Sequence, residues 1–129
     1  MNEVPESPTR QFAEFSASLR YEHLSDVERH ACARHLLDTV GACVAGATSD
    51  VSRIAAGFAQ SLGSTGNARI PGRRERFDIL TAAWLGGAAA HGLEVDDGYR
   101  PGSVHPGCVV IPALLAAATE KQTDGRALM

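Results

Sequence analysis

Residues 79–93 constrain the fold of this chain more than any other segment does. They are apolar on nearly every side of a helix and rich in alanine and glycine, with Gly86 and Gly87 in the middle. A helix without a polar face is stable in water only when neighbouring elements cover it. Each interior glycine costs about 1 kcal/mol of helix stability relative to alanine. Close packing against other helices has to offset the cost of both glycines. The segment therefore predicts a buried helix, capped by Asp78, within an all-α helical bundle.

Three amphipathic helices are predicted before this segment. Ser7 and Pro8 form an N-cap and first-turn pair, and the helix that they begin should end near Arg20. Ser25 and Glu28 form a capping box for a second helix, whose predicted inner face is Val27, Ala31, Leu37, Val40 and Val44. The third helix, over residues 50–62, has an apolar stripe at helical spacing that consists of Val51, Ile54, Ala55, Phe58 and Leu62.

The segments between and after these helices carry weaker signals. Residues 68–72 contain a proline and predict at most a short edge strand. The arginines that follow are expected on a solvated loop: Arg73, Arg74 and Arg76. Pro106 predicts the start of a helix that Pro112 should kink or delay. Residues 123–125 have the composition of a further helix cap.

The composition excludes several classes of protein. A formal net charge of −3 is too small to steer the chain to nucleic acid or to a membrane surface. No apolar run approaches the roughly 20 residues of a membrane span, and the N-terminal residues lack the apolar core of a secretory signal. The three cysteines form no zinc-type pair. We therefore expect a cytoplasmic protein with reduced thiols and with no nucleic-acid or membrane partner.

Chemically versatile side chains are concentrated in one interval of the chain. The interval contains His91, Glu94, Asp96, Asp97, Tyr99, Arg100, Ser103 and His105. Charged groups at the end of a buried helix are costly to desolvate, so the interval is either a solvated loop or a site that handles protons. His105 precedes a predicted helix whose first amides, including that of Gly107, lack intrahelical partners and can bind an anion. A histidine beside such an anion site can move a proton on or off a bound carboxylic acid.

Two other interpretations of this interval stay open. Asp-Asp-Gly at 96–98 is a common turn sequence and His105 can act as a helix cap alone, in which case the interval carries no chemistry. In the second interpretation the interval binds a divalent metal ion. Its candidate ligands are not spaced as in the usual metal-binding motifs; they are His91, Asp96, Asp97 and His105. The sequence contains no nucleophile elbow, no Walker loop and no glycine fingerprint for dinucleotides.

The same interval resembles the MmgE/PrpD family. The residues that carry the resemblance are AAAHGLEVDDGYRPGSVHPGCVVIPALLAAA, residues 88–118. The family pattern is a helix of small residues, His-Ala-Leu-(Asp/Glu)-x-Asp-Asp, a short loop, His-Pro-(Gly/Ser) and a helix with proline and alanines. LLDTVG at residues 36–41 is similar to the family's first long helix. The resemblance extends from Phe12 onward.

The resemblance implies a fold, an activity and a set of site residues. Members combine a large helical domain with a smaller α/β lid, usually form homodimers, and act without a metal or other cofactor. They are lyases or isomerases of small di- and tricarboxylic acids, and include 2-methylcitrate dehydratase, cis-aconitate decarboxylase and iminodisuccinate epimerase. The catalytic residues implied here are His105, Asp96 and Asp97. The implied substrate contacts are Glu94, Tyr99, Arg100, Ser103 and Gly107.

Two departures and the length of the chain qualify the resemblance. Glu94 stands where several members have aspartate, and the loop before His105 is one residue longer than in the decarboxylase. Members are also several times longer and draw further lysine and histidine side chains from later segments. We interpret residues 1–7 as a disordered arm and residues 8–129 as the N-terminal portion of the helical domain, without a lid and with little or no turnover alone. The alternatives are a non-catalytic helical self-association or binding module and a metal-dependent helical hydrolase.

Overall fold

The computed structural model describes residues 7–128, and most of them are helical. Residues 1–6, which make up most of the predicted arm, lie outside the described residues. The helices are α1 (Pro8–Ser18), α2 (Asp26–Gly46), α3 (Asp50–Ser61), α4 (Ile79–His91), α5 (Pro106–Lys121) and α6 (Gly125–Leu128). The other regular elements are two short antiparallel strands and two 3-10 turns. The strands are β1 (Ala68–Arg69) and β2 (Arg76–Phe77), and the turns are Tyr21–His23 and Arg100–Gly102. The predicted all-α class is confirmed.

The helices begin at the predicted caps. The Glu28 amide donates to the Ser25 hydroxyl, and the Ser25 amide donates to the Glu28 carboxylate at 2.7 Å, which confirms the capping box. Ser7 caps α1, and the Asp78 carboxylate accepts from the Thr81 amide at the start of α4. Each cap satisfies an amide that has no partner within its own helix.

Helix α4 packs against α2, α3 and α5, and it lies closest to α5. A Cβ atom on Gly86 would lie 2.8 Å from Cβ of Pro112, and one on Gly46 of α2 would collide with the Ala89 carbonyl. The expected close packing at the α4 glycines is therefore confirmed at Gly86, which meets a proline ring of α5. Pro112 lies inside α5 and is buried.

Small side chains form most of the core. The larger cluster joins α3, the two strands, α4 and α5, and consists of Ala55, Ala56, Ala59, Ala68, Ile70, Phe77, Ala82, Leu85 and Ala116. A second cluster joins α2 to the end of α4 and the first turn of α5, and consists of Ala42, Cys43, Ala90 and Cys108. This second cluster fixes the two helix ends that flank the polar interval.

The predicted inner face of α2 is wrong, and that of α3 is confirmed only at Ala55. Val27 is 80 % exposed and Leu37 is 73 % exposed, whereas α2 buries Thr39, Ala42, Cys43 and Gly46. In α3 the exposed residues include Ile54 and Phe58, and the buried ones are Ser52, Ala55, Ala56 and Ala59. Close approach of the helix axes selects small residues for the contact faces, so the large apolar side chains lie on the opposite, uncovered faces.

Two other expectations are also corrected. Helix α4 is not covered on all sides, because Leu80 is 81 % and Trp84 51 % exposed. Arg73 is not on a solvated loop: its guanidinium donates to the carbonyls of Ala47 and Ser52, and the side chain is only 10 % exposed. Backbone carbonyls at the junction of α2 and α3 need donors, and Arg73 provides them.

The two short strands pair with each other. Ala68 pairs with Phe77 and Arg69 with Arg76, so the predicted edge strand exists and has a partner that the sequence did not indicate. Among residues 7–128, no helix combines the length and the apolar character that crossing a lipid bilayer requires.

Candidate acid/base site

The candidate site lies where the chain passes from α4 to α5. Helix α4 ends at His91, and α5 begins at Pro106 directly after His105. The connection between them includes a hairpin-like loop in which Tyr99 and Val104 form an antiparallel bridge, with the Tyr99 amide donating to the Val104 carbonyl at 2.8 Å. Ser103 takes a left-handed conformation within this loop. The bridge and the two helix ends bring both ends of the polar interval together.

Asp96 lies between two histidines, one from each helix end. Nδ1 of His91 is 3.2 and 3.1 Å from the two carboxylate oxygens of Asp96, and Nδ1 of His105 is 3.5 Å from Oδ2. The Asp96 side chain is fully buried, whereas His91 and His105 are about half exposed. The two imidazole rings meet edge to face with their centroids 4.9 Å apart. One buried carboxylate therefore holds two solvent-accessible imidazoles.

Two opposing effects act on the pKa of Asp96. Burial raises the pKa of this carboxyl, but the bond from His91, the nearby Cys108 thiol and the backbone lower it by more, so the net pKa lies below its usual value. The group is thus a carboxylate at neutral pH and accepts hydrogen bonds. We assign the tautomer with a proton on Nδ1 to His91, which leaves its Nε2 with a free lone pair.

Asp97 occupies the first turn of α5. Its Oδ1 accepts a hydrogen bond of 2.9 Å from the Gly107 amide, and its Oδ2 lies 3.7 Å from Nδ1 of His35. The expectation of a free anion-binding amide at Gly107 is therefore wrong, because the protein's own carboxylate uses it. Gly107 is buried, and a Cβ atom there would lie 2.5 Å from Oδ1 of Asp97 and 2.6 Å from Oγ1 of Thr39.

The loop places three more of the predicted residues beside His105. A cavity of about 340 Å³ is lined by Gly98, Tyr99, Arg100, Ser103, Val104 and His105. Glu94 differs from them: it is exposed on the turn after α4, has a positive φ of 53°, and does not line this cavity. The structure thus brings Tyr99, Arg100 and Ser103 to His105 and leaves Glu94 apart.

Three residues near the site were not among the predicted site residues. His91 shares Asp96 with His105; the sequence placed it in the polar interval and in a possible metal set, but not among the catalytic or substrate-binding residues. A second cavity, of about 500 Å³, is lined in part by Arg34 and His35 of α2 together with Asp97. The helical position of His35 gave it little functional weight in the sequence, because nothing in the sequence indicates that α2 passes beside Asp97.

The arrangement can exchange protons and can bind a cation. An imidazole whose Nδ1 is hydrogen-bonded to a carboxylate has a fixed orientation and a more basic Nε2. Ligand atoms of His91, Asp96 and His105 also lie within 4.8 Å of one another, a spacing that suits a single metal ion. Both uses depend on the same three side chains.

Comparison with known proteins identifies relatives of the whole described chain. Residues 10–129 match the MmgE/PrpD N-terminal domain. The cis-aconitate decarboxylase of Homo sapiens is 33 % identical over 113 residues, which cover 87 % of this chain and 23 % of the human protein. The cis-aconitate decarboxylase of Mus musculus is 29 % identical over 111 residues, which cover 85 % of this chain and 22 % of the mouse protein.

The two comparisons agree on the family and on the extent of the match. The chain spans less than a quarter of the length of the curated relatives that it matches. The matched region includes both helix ends and the loop of the candidate site. The chain belongs to the MmgE/PrpD family, and its sequence corresponds to the N-terminal domain of that family.

Proposed function

We propose that this chain forms the acid/base wall of an enzyme that acts on small di- or tricarboxylic acids as a lyase or isomerase. One observation carries the proposal: the buried Asp96 carboxylate holds the half-exposed rings of His91 and His105 beside a cavity. The family match and the decarboxylase activity named for the human and mouse relatives support a lyase-type reaction.

His105 is the proposed proton-transferring group. Dehydration, decarboxylation and epimerisation of such acids all require a proton to leave or join a carbon beside a carboxylate. With Nδ1 directed to Asp96, the Nε2 lone pair of His105 can accept that proton and return it. Asp96 stabilises the imidazolium that forms, because its charge is buried and therefore weakly screened.

Arg100 is the proposed contact for a substrate carboxylate. It lines the same cavity as His105, and a guanidinium can bind a carboxylate through two parallel hydrogen bonds. Tyr99 and Ser103 add hydroxyl donors to the cavity wall. Asp97 is proposed to act indirectly: its bond to the Gly107 amide fixes the start of α5, and with it the position of His105.

Nuclear magnetic resonance of imidazole-labelled protein tests this proposal on the 129-residue chain. Citrate and cis-aconitate should shift the His105 and His91 signals, with a Kd on the order of 1 mM for so small a ligand in an open cavity. Arg100→Ala should weaken binding, and Arg53→Ala, on an exposed face of α3, should not. Shifts that are spread over all five histidines and unaffected by Arg100→Ala would contradict the proposal.

Turnover by the chain alone is a separate question. We propose that the 129-residue chain releases little or no carbon dioxide from cis-aconitate and dehydrates little or no 2-methylcitrate, since it spans less than a quarter of the length of its curated relatives. Rapid turnover that His105→Ala abolishes would overturn this inactivity while supporting the acid/base role. Unchanged turnover in His105→Ala would remove His105 from that role.

An exposed apolar face supports a second proposal, self-association of the chain. Phe58 and Trp84 contact edge to face at 6.3 Å and join the uncovered stripes of α3 and α4. A standard interface buries roughly 800 Å² on each partner. The large apolar residues on this face are each more than half exposed; they are Val51, Ile54, Phe58, Leu62, Leu80 and Trp84. A second copy of the chain is the proposed occupant.

Sedimentation velocity tests the second proposal. The wild-type chain should sediment as a dimer at about 100 µM, a concentration suited to interfaces of this size. Ile54→Lys should yield a monomer, because it places a charge in the centre of the face. Val27→Lys is the matched control, since Val27 is equally exposed but lies on α2. A monomeric wild type, or equal effects of the two lysines, would contradict the proposed interface.

A further inference from the structure

The convergence of two imidazoles on one buried carboxylate has a use beyond proton transfer. Oδ2 of Asp96 lies 3.1 Å from Nδ1 of His91 and 3.5 Å from Nδ1 of His105. We propose that His91, Asp96 and His105 form a binding site for one divalent transition-metal ion of the Zn²⁺ type. This site is additional to the proposed acid/base function, and neither proposal depends on the other.

The two distances from Asp96 match those between neighbouring ligand atoms around a tetrahedral ion. Zinc binds histidine nitrogen and carboxylate oxygen at about 2.0–2.2 Å, so neighbouring ligand atoms in a tetrahedron lie roughly 3.3–3.5 Å apart. The two distances from Asp96 have these values within a few tenths of an ångström. All three ligand atoms lie within 4.8 Å of one another, and both rings are about half exposed.

The types of donor atom select the class of metal. Two neutral imidazoles and one carboxylate are ligands of zinc and of its neighbours among the first-row transition metals, whereas Ca²⁺ and Mg²⁺ prefer oxygen ligands alone. Three protein ligands leave a fourth position for water or another oxygen donor. The exposed edges of His91 and His105 provide a path for the ion from solvent.

The positions of the imidazole protons determine how an ion can bind without a net loss of protons. Without an ion, Nδ1–H of His91 donates to the Asp96 carboxylate. An ion at this point replaces the Nδ1 protons, and each neutral ring then carries its proton on Nε2. No net proton is lost, and the buried charge of Asp96 gains a direct cationic partner. An ion bound here removes the Nε2 lone pairs, so it should also inhibit proton transfer by either ring.

Asp97 provides an internal contrast to Asp96. It is the neighbouring residue and is also an aspartate with low exposure, but its oxygens face the Gly107 amide and His35. His30 provides a similar contrast among the histidines, because it is exposed on α2 and lies outside the three-residue cluster. His30→Ala is therefore the matched control for His91→Ala.

Calorimetry with ZnCl₂ and absorption spectroscopy with CoCl₂ test the site on the tag-free chain. We expect one Zn²⁺ per chain, a four-coordinate Co²⁺ spectrum, and no competition from a large excess of Mg²⁺. Asp96→Asn, His91→Ala and His105→Ala should each weaken Zn²⁺ binding by tenfold or more, and the control variant His30→Ala should bind as wild type does. Circular dichroism of each variant verifies its fold.

Several outcomes would overturn the site. They are the absence of stoichiometric Zn²⁺ binding, equal binding by Asp96→Asn and wild type, loss of binding in His30→Ala, and thiolate-to-Co²⁺ charge-transfer bands, which would place the ion on cysteines instead. Because these measurements contain no carboxylic acid substrate, they are independent of the test of the acid/base function. Citrate binding that persists without Zn²⁺ binding would reject the metal site alone.

Discussion

The Asp97 carboxylate accepts a hydrogen bond of 2.9 Å from the Gly107 amide, so a side chain from the connection after α4 caps the first turn of α5. This bond joins the two helix ends that carry His91 and His105. It also uses the amide that the sequence alone would assign to a substrate. For the proposed function, this bond favours a side chain over the Gly107 amide as the carboxylate-binding group, and Arg100 lines the cavity with His105.

Removing the Asp97 carboxylate should destabilise the fold. Asp97→Ala leaves the part-buried Gly107 amide without a partner, which should lower the free energy of unfolding by about 1–3 kcal/mol. Asp97→Asn keeps an oxygen acceptor and should cost less. Urea unfolding followed by circular dichroism measures both. Equal losses for alanine and asparagine would show that the hydrogen bond is not the source of the effect.

A methyl group at Gly86 should disrupt the contact of α4 with α5. Gly86→Ala places Cβ 2.8 Å from the rigid ring of Pro112, and overpacking of this kind costs about 1–3 kcal/mol. Gly57→Ala is the control, because Gly57 is helical and has open space around it. That substitution should stabilise the protein by up to about 1 kcal/mol. Urea midpoints that move in the same direction for both variants would contradict the close approach.

Acid should remove the stabilisation that Asp78 provides. Hydrogen bonds from Ser64, then from the hydroxyl and amide of Thr81, lower the pKa of Asp78 from 3.8 to about 2. A lowered folded-state pKa stabilises the protein above the unfolded value, and that stabilisation is lost as the pH falls from near 3.8 through about 2.

Asp78→Asn isolates this contribution. The difference in urea midpoint between wild type and Asp78→Asn should be largest at pH 5 and should shrink steadily toward pH 2. The variant keeps an acceptor for the Thr81 amide, so its fold should persist at neutral pH. A difference that is constant from pH 5 to pH 2 would show that Asp78 does not carry the predicted pKa.

The cysteines should differ in their reactivity toward iodoacetamide. Burial raises the pKa of Cys43 to about 11, and burial together with the nearby charge of Asp96 raises that of Cys108 to about 11. The thiolate is the reactive form, and roughly 0.1 % of either thiol is ionised at pH 8, so both should be alkylated slowly. Cys32 is partly exposed and should be alkylated first.

Peptide mass spectrometry follows the three cysteines separately. In native buffer the Cys32 peptide should be modified well before the other two, and in 8 M urea all three should react at similar rates. The urea sample controls for intrinsic differences between the peptides. Alkylation of Cys108 as fast as Cys32 in native buffer would contradict its buried, thiol form.

Local sequence signals predicted where the helices begin. They did not predict which face of each helix is buried, and only the structure shows this. Ser25, Asp78 and Pro106 are start signals that act within one turn, and the helices begin where these residues predict. The buried faces depend on which helices meet, and the sequence does not encode that locally. Apolar periodicity therefore pointed to Ile54 and Leu37, whereas close helix contacts selected alanine and glycine instead.

The site was predictable in its composition and only partly in its geometry. The interval around Asp96 and His105 was identified from clustered polar residues, and these two residues do meet. His91 contacts Asp96 because the chain turns back toward the end of α4. His35 lies near Asp97 because α2 passes beside that residue. The pairing of His35 with Asp97 joins residues that are distant in sequence, and that of His91 with Asp96 depends on the shape of the turn between them, so residue spacing alone reports neither.

The contact of Gly86 with Pro112 has a consequence for protein engineering. The helix ends that carry His91 and His105 are held at their mutual distance by a glycine and a ring with almost no rotational freedom, so no rotamer change can adjust the spacing. The exposed residues 98–104 are free of that restriction. Libraries that vary this loop in length and charge should therefore alter ligand choice while the histidine pair keeps its geometry, whereas substitutions at Gly86 or Pro112 should disturb the helix contact itself.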